Sequence, residues 1–201
     1  MIALLIAIGI IGNCSSYISP PIKLPIANTN MALVVYSVKK GAALDQWAEV
    51  ALWEKDKDGK EEKKATVMLE GMKLPVECKL TKLHGTDSSY HDVIVITGDG
   101  DTRRYVHVVE IDKSNKQLHI LLGEHHEGNV RYKYDRQGYL ESLTLTYLTA
   151  HELKPDALSG HPFAEKEFRW SPKAGCFTAG PFRPDLVTEA EVGKKSQKSK
   201  N

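Results

Sequence analysis

Runs of apolar and β-branched residues, broken by turn signals, recur along the middle of the chain. Residues 31–38, the tetrad Val93-Ile94-Val95-Ile96 and residues 105–111 share this composition, which suits strands because branched side chains pack well on a pleated surface. The clearest hairpin joins residues 103–112 to residues 117–122 through Lys113-Ser114-Asn115-Lys116. Pairing Asp112 with Gln117 sets Ile111 against Leu118 and Val109 against Ile120, gathering apolar side chains on one core face. The same register puts Glu110 across from His119 on the opposite face.

A second hairpin is predicted over residues 129–147, around Asp135-Arg136-Gln137-Gly138. The Asp side chain can accept turn amide protons and Gly can supply a positive φ, giving a type I turn followed by a bulge. Residues 128–140, Gly128-Asn129-Val130-Arg131-Tyr132-Lys133-Tyr134-Asp135-Arg136-Gln137-Gly138-Tyr139-Leu140, resemble one YD repeat, the G…RYxYDxxGxL unit of the Rhs and teneurin shells. The resemblance implies a hairpin with packed tyrosines. Those shells stack many such units and the chain carries no second copy, so it implies no toxin-delivery function.

Two stretches read less simply. In residues 42–69, Leu44, Trp47, Ala48, Ala51 and Leu52 fit a helical stripe, and one short helix near residues 43–54 is the alternative. A long hairpin turning at Asp58-Gly59 and returning through residues 65–69 accounts for more positions and is the expectation. After Ala150 the chain holds Pro155, Pro162, Pro172, Pro181 and Pro184, which leaves room for one edge strand at residues 165–170 and a turn at 171–175 into Cys176-Phe177. The expected fold is all-β, antiparallel hairpins forming an open barrel or sandwich, in one domain over residues 31–185.

The first residues carry an address. Residues 2–11 are unbroken apolar side chains plus Gly9, about ten residues, which suits a signal-peptide core and falls short of the roughly 20 a spanning helix needs. Ile11-Gly12-Asn13-Cys14 then resembles the bacterial lipobox, in which an aliphatic residue and two small ones precede an acylated cysteine. Asn13 departs from that pattern, and no Lys or Arg precedes the apolar run. The resemblance implies a signal peptide at 1–13, lipid on Cys14 and attachment to the membrane at the bacterial cell envelope; plain secretion is the alternative. Pro20, Pro21 and Pro25 make residues 14–30 a tether, and the lysine-rich residues 186–201 read as a basic disordered tail.

Charge excludes one class of partner: 27 Lys+Arg against 26 Asp+Glu, a net +1 over 201 residues, gives no global reason to bind nucleic acid. Candidate chemistry is sparse. Glu54-Lys55-Asp56-Lys57-Asp58-Gly59 is similar to the front half of an EF-hand loop, but Ala65 stands where a bidentate Glu is needed, so a solvated hairpin tip is expected. Thr97-Gly98-Asp99-Gly100-Asp101 reads as a turn. Glu124-His125-His126-Glu127 offers zinc-type donors, which His107, His119, His151 or His161 could supplement, yet neighbours on a strand face opposite ways. No metal and no cofactor is therefore expected. Ser159-Gly160-His161 is a loop fragment, and no G-x-S-x-G or phosphate-binding glycine loop occurs. Trp47, Trp53 and Trp170 read as core rather than sugar platforms. Cys78 and Cys176 are candidates for a disulfide. The leading function is a non-enzymatic lipoprotein that binds an envelope protein partner or serves a structural role there; the alternatives are an open-barrel carrier of an apolar ligand and a metal-dependent enzyme built on the histidines.

Overall fold

The apolar runs do form strands, and a computed structural model describes residues 20–39, 46–149, 161–188 and 190 of the chain. The first sheet holds β1 (Ile22–Pro25), β2 (Met31–Lys39), β3 (Gln46–Lys55) and β4 (Glu61–Leu69) in that order. The second holds β5 (Val76–His84), β6 (Tyr90–Asp99), β7 (Arg104–Asp112) and β8 (Gln117–His126). The third holds β9 (Val130–Tyr134), β10 (Leu140–Leu148), β11 (Phe163–Ser171) and β12 (Cys176–Pro184). Each sheet is an antiparallel meander, and none closes into a barrel.

The tetrad in β6 shows how the sheets stack. Val93, Ile94, Val95 and Ile96 are all buried, yet successive side chains on a strand point to opposite faces. Ile94 and Ile96 pack with Leu33, Val35, Val50 and Leu52 of the first sheet. Val93 and Val95 pack with Leu143, Leu145 and Phe168 of the third. The second sheet is therefore the middle of a three-layer sandwich, buried on both faces, which is why its strands read as continuous apolar runs rather than alternation. Full burial of one such side chain stabilises by about 1.5–3 kcal/mol, so these two interfaces hold the layers together.

The expected register of β7 and β8 is present: Asp112 pairs with Gln117, Ile111 with Leu118, Glu110 with His119 and Val109 with Ile120. Val109, Ile111 and Leu118 enter the core, but Ile120 is 45% exposed, on the rim of a hollow shared with Met68 of β4 and next to the bulge that follows it. The Asp58-Gly59 hairpin forms between β3 and β4, with Asp56 Oδ1 accepting the amides of Asp58 at 2.9 Å and Lys60 at 2.8 Å. Residues 46–54 are thus strand, not helix; residues 43–45 lie outside the described part. The Asp135 turn joins β9 to β10, with Gly138 at φ 82° and a register shift between Leu140 and Ser142.

Three boundaries move. Residues 22–25, expected in the tether, form edge strand β1, where Pro25 does no harm. Residues 165–170, expected at an edge, lie inside β11 between β10 and β12; β12 takes the edge because Pro181 and Pro184 are tolerated there. Residues 186–188, expected in the tail, make a helical turn held by Asp185, whose carboxylate accepts the Thr188 amide at 3.1 Å and its hydroxyl at 2.9 Å. β5 went unread in the sequence, since its polar positions, Lys79, Thr81 and Lys82 among them, hide the alternation.

Candidate functional site

The sequence candidates with the most chemistry collect at one end of the middle sheet. There the turn between β6 and β7 is closed by Gly100 N donating to Arg103 O at 2.7 Å. A Cβ on Gly100 would stand 2.4 Å from the Gly71 carbonyl oxygen, and one on Gly71, at φ +79°, would stand 2.5 Å from the Tyr105 ring. Glycine at both positions lets the Tyr105 ring lie directly against the backbone.

Cross-strand pairing then places β8 beside it: Arg104 opposes His126, Tyr105 opposes His125, and His107 opposes Gly123. Arg103 Nη1 donates to His125 Nε2, so that nitrogen offers a lone pair. Arg103 Nε lies 3.8 Å from Glu127 Oε1, while Glu127 Oε2 accepts the Leu148 amide at 3.2 Å. The rings of Tyr147 and Tyr105 approach the His125 ring edge-on, with centroids 6.1 and 6.5 Å away. Two hollows flank this cluster. One is open, lined by residues 99–104 with Glu127 and Leu148, and its charges are tied up in the pairs Lys73–Asp101 and Arg104–Asp99. The other is a cavity of about 390 Å³ near the seam between β4 and β8, lined by Met68, Glu70, Tyr105, His107, Ile120 and His125, with Gly123 and Glu124.

Two buried histidines stand beside this ground. His126 is 1% exposed, and its Nδ1 donates to Gly128 O at 2.9 Å. Burial pushes its pKa down to about 4, the Gly128 carbonyl opposing and the charges of Arg104 and His125 assisting. His107 is 5% exposed, with both ring nitrogens closed to solvent. Burial pushes this ring down to about 4 as well, against the pull of the Glu70 backbone.

The zinc-type tetrad is therefore divided. His125 and His126 are successive residues of β8, so His125 joins the Arg103 cluster while His126 turns to the other face. Glu127 is committed to Arg103 and the Leu148 amide, and Glu124 lines the cavity. Among the described residues, no three His, Cys, Asp or Glu side chains are placed to hold a metal ion. His119 sits at the far end of β8, His161 lies near Thr149, which bonds its carbonyl at 2.8 Å, and His151 falls outside the described residues, as do Ser159 and Gly160.

Cys14 also falls outside the described residues. Cys78 and Cys176 do not form the candidate bridge: both are free thiols, Cys78 packed between the first and middle sheets and Cys176 exposed on the third. Burial pushes the Cys78 thiol up to about 11. Of the tryptophans, Trp170 is core, whereas Trp47 and Trp53 alternate with the buried Ala48, Val50 and Leu52 and so occupy the outer face of the first sheet. An open carrier surface is missing from the middle sheet, since another sheet covers each of its faces.

The sequence did not bring Arg103, Tyr105, His107 and His125 together, because the bulge between Val108 and Val109 shifts every later pair by one. A comparison with known proteins gives no match: no family model, no curated protein and no solved structure resembles the chain.

Proposed function

We propose that this chain is a lipid-anchored, non-enzymatic binding protein of the bacterial envelope, held to the membrane through Cys14. One observation carries the reading: an apolar run too short to span a bilayer ends at Ile11-Gly12-Asn13-Cys14. The start of β1 at Ile22 supports it, because only Ser15 to Pro21 then separate the lipid from the domain, a reach of about 25 Å when extended. The three-layer sandwich is in this reading a rigid body held close to the surface, with the end of its middle sheet as the binding face. One acyl chain anchors marginally, and the two or three chains that the lipobox resemblance implies make attachment lasting.

Cell fractionation and mass spectrometry of the natively expressed protein test this. The expected product begins at acylated Cys14 and partitions with membranes, and Cys14→Ser moves it to the soluble envelope fraction or leaves precursor. An intact Met1, or an unmodified Cys14 thiol in a cytoplasmic fraction, refutes the anchor.

A further inference from the structure

We propose that the turn at Leu186-Val187, together with the lysines that follow it, is a second membrane contact, one that takes anionic phospholipid. The inference rests on the membrane attachment proposed above and names a further surface of the chain and the lipid class it meets. Leu186 is 62% and Val187 53% exposed, the two most exposed large apolar side chains among the described residues and the only two adjacent in the chain. A scattered apolar residue on a surface needs no explanation, but this pair is held out by the fold. Asp185 before it and Thr188 after it are both buried. The Asp185 amide donates to Phe163 O at 3.0 Å, and its carboxylate accepts Thr146 Oγ1 at 2.5 Å, Arg131 Nη1 at 3.3 Å, and the amide and hydroxyl of Thr188. Strands β9, β10 and β11 thus fix the backbone on which the pair stands, so its exposure is not the fraying of a loose segment.

Charge points to what covers the pair. Residues 192–201 hold Lys194, Lys195, Lys198 and Lys200 and no Asp or Glu, although the chain as a whole is balanced at a net +1. Glu189 and Glu191 precede the lysines, so the sign of the charge changes on moving away from the turn. Apolar side chains followed by clustered lysines suit a bilayer with anionic headgroups: the pair enters the boundary between headgroups and acyl chains, and the lysines sit in the negative surface potential. Each lysine close to such a surface strengthens binding about fivefold, an effect that fades within about 10 Å. Residues 188–193 separate Val187 from Lys194, a reach of at most about 25 Å, so a seated Val187 keeps the lysines near the headgroups.

The test measures binding of the full, unacylated chain to vesicles of phosphatidylcholine alone and of phosphatidylcholine with about 30% phosphatidylglycerol. The apolar run at residues 2–11 acts alike on both, so the readout is the excess on the anionic vesicles. That excess is expected to be at least about tenfold at low salt and to vanish near about 0.5 M salt. Replacing Lys194, Lys195, Lys198 and Lys200 by Gln should abolish it. Leu186→Ser combined with Val187→Ser should cut it about fivefold, because lysines on an unseated turn lie farther from the surface. Both sets of changes fall outside the two cores, and an unaltered melting temperature checks that each variant is folded. Equal binding to both vesicles, an excess that survives either set of substitutions, or binding of the turn to an envelope protein with no excess on anionic vesicles overturns the proposal. The chain carries no lipid in this assay, so a negative result leaves the Cys14 fractionation standing, and a failed fractionation leaves the vesicle result intact.

Discussion

The two faces of the middle sheet are buried in different ways. Against the first sheet the core is aliphatic: Ile94, Ile96, Val109 and Ile111 meet Leu33, Val35, Val50 and Leu52, with Tyr105 as a partly buried exception. Against the third sheet, Val93, Val95, Val106 and Val108 meet Tyr147, Phe168 and Trp170, with Tyr132, Tyr134, Phe177 and Phe182 around them. Aromatic side chains bring polar ends, which in buried positions usually find a partner, although the Tyr134 hydroxyl here has none. Trp170 Nε1 donates to the His84 carbonyl at 2.5 Å, and at the same layer's edge Thr146 Oγ1 donates to Asp185 Oδ2 at 2.5 Å. Burial works against the charged form of Asp185, but the hydrogen bonds from Thr146 and Thr188 and the Arg131 charge outweigh it and hold its pKa below the ordinary carboxylate value. One interface thus has an aliphatic core with the Lys116–Glu54 ion pair, at 2.7 Å, on its rim, and the other adds a hydrogen bond from an aromatic ring in the core itself.

The largest break in this contrast is Trp170→Ala, expected to cost about 3–5 kcal/mol by urea unfolding because it removes both the ring and its hydrogen bond. Ile94→Ala, on the aliphatic side, is expected to cost about 2–4 kcal/mol. The double variant should equal their sum within about 0.5 kcal/mol; a larger coupling means that the middle sheet transmits strain between its faces.

Acid sharpens the comparison next. His107 and His126, each pushed by burial to about 4, bind fewer protons folded than unfolded at any pH between there and the ordinary value of 6.5. Stability is therefore complete above about pH 6.5 and falls toward pH 4, by up to about 3 kcal/mol per histidine. Chemical unfolding across this range should show that slope, and His126→Phe should flatten it; an unchanged slope assigns the acid sensitivity elsewhere.

A smaller loss, about 1–3 kcal/mol, is expected for Gly100→Ala, which forces a methyl group against the Gly71 carbonyl and Tyr105. Gly175→Ala meets nothing within 4 Å and carries only the penalty of its positive φ, about 1 kcal/mol, with both glycine variants compared by urea unfolding. The smallest expected effect on stability accompanies a thiol count. With Cys14 replaced by Ser, the native chain should expose Cys176 alone to a thiol reagent, and both cysteines should react after unfolding without reductant. A chain with no reactive thiol once unfolded carries the bridge instead.

The aliphatic interface is legible in the chain because β-branched runs such as Val93-Ile94-Val95-Ile96 advertise it, and their lack of alternation reflects burial on both faces. The aromatic interface was harder to read. Its strands carry Arg131, Lys133, Glu165 and Glu167 on the outer face, and prolines 181 and 184 argued against a strand where β12 forms. The candidate site was half legible. Glu124 to Glu127 stood out, but extending the hairpin register without a bulge places Glu124, not His125, opposite Tyr105. The three consecutive apolar residues Ile120-Leu121-Leu122 were the available signal, since strict alternation cannot hold all three on one face.

The layers follow one another in the chain as they do in space: residues 22–69, then 76–126, then 130–184. Among the described residues every strand pairing is between sequence neighbours, which keeps the loops to be closed short and favours rapid formation of each layer by itself. During synthesis, the N-terminal layer emerges with its apolar face bare and is covered only when the second arrives. A chain paused near residue 126 then presents the valines of β6 and β7 to water, a sticky half-built sandwich that only residues 130–184 can quench.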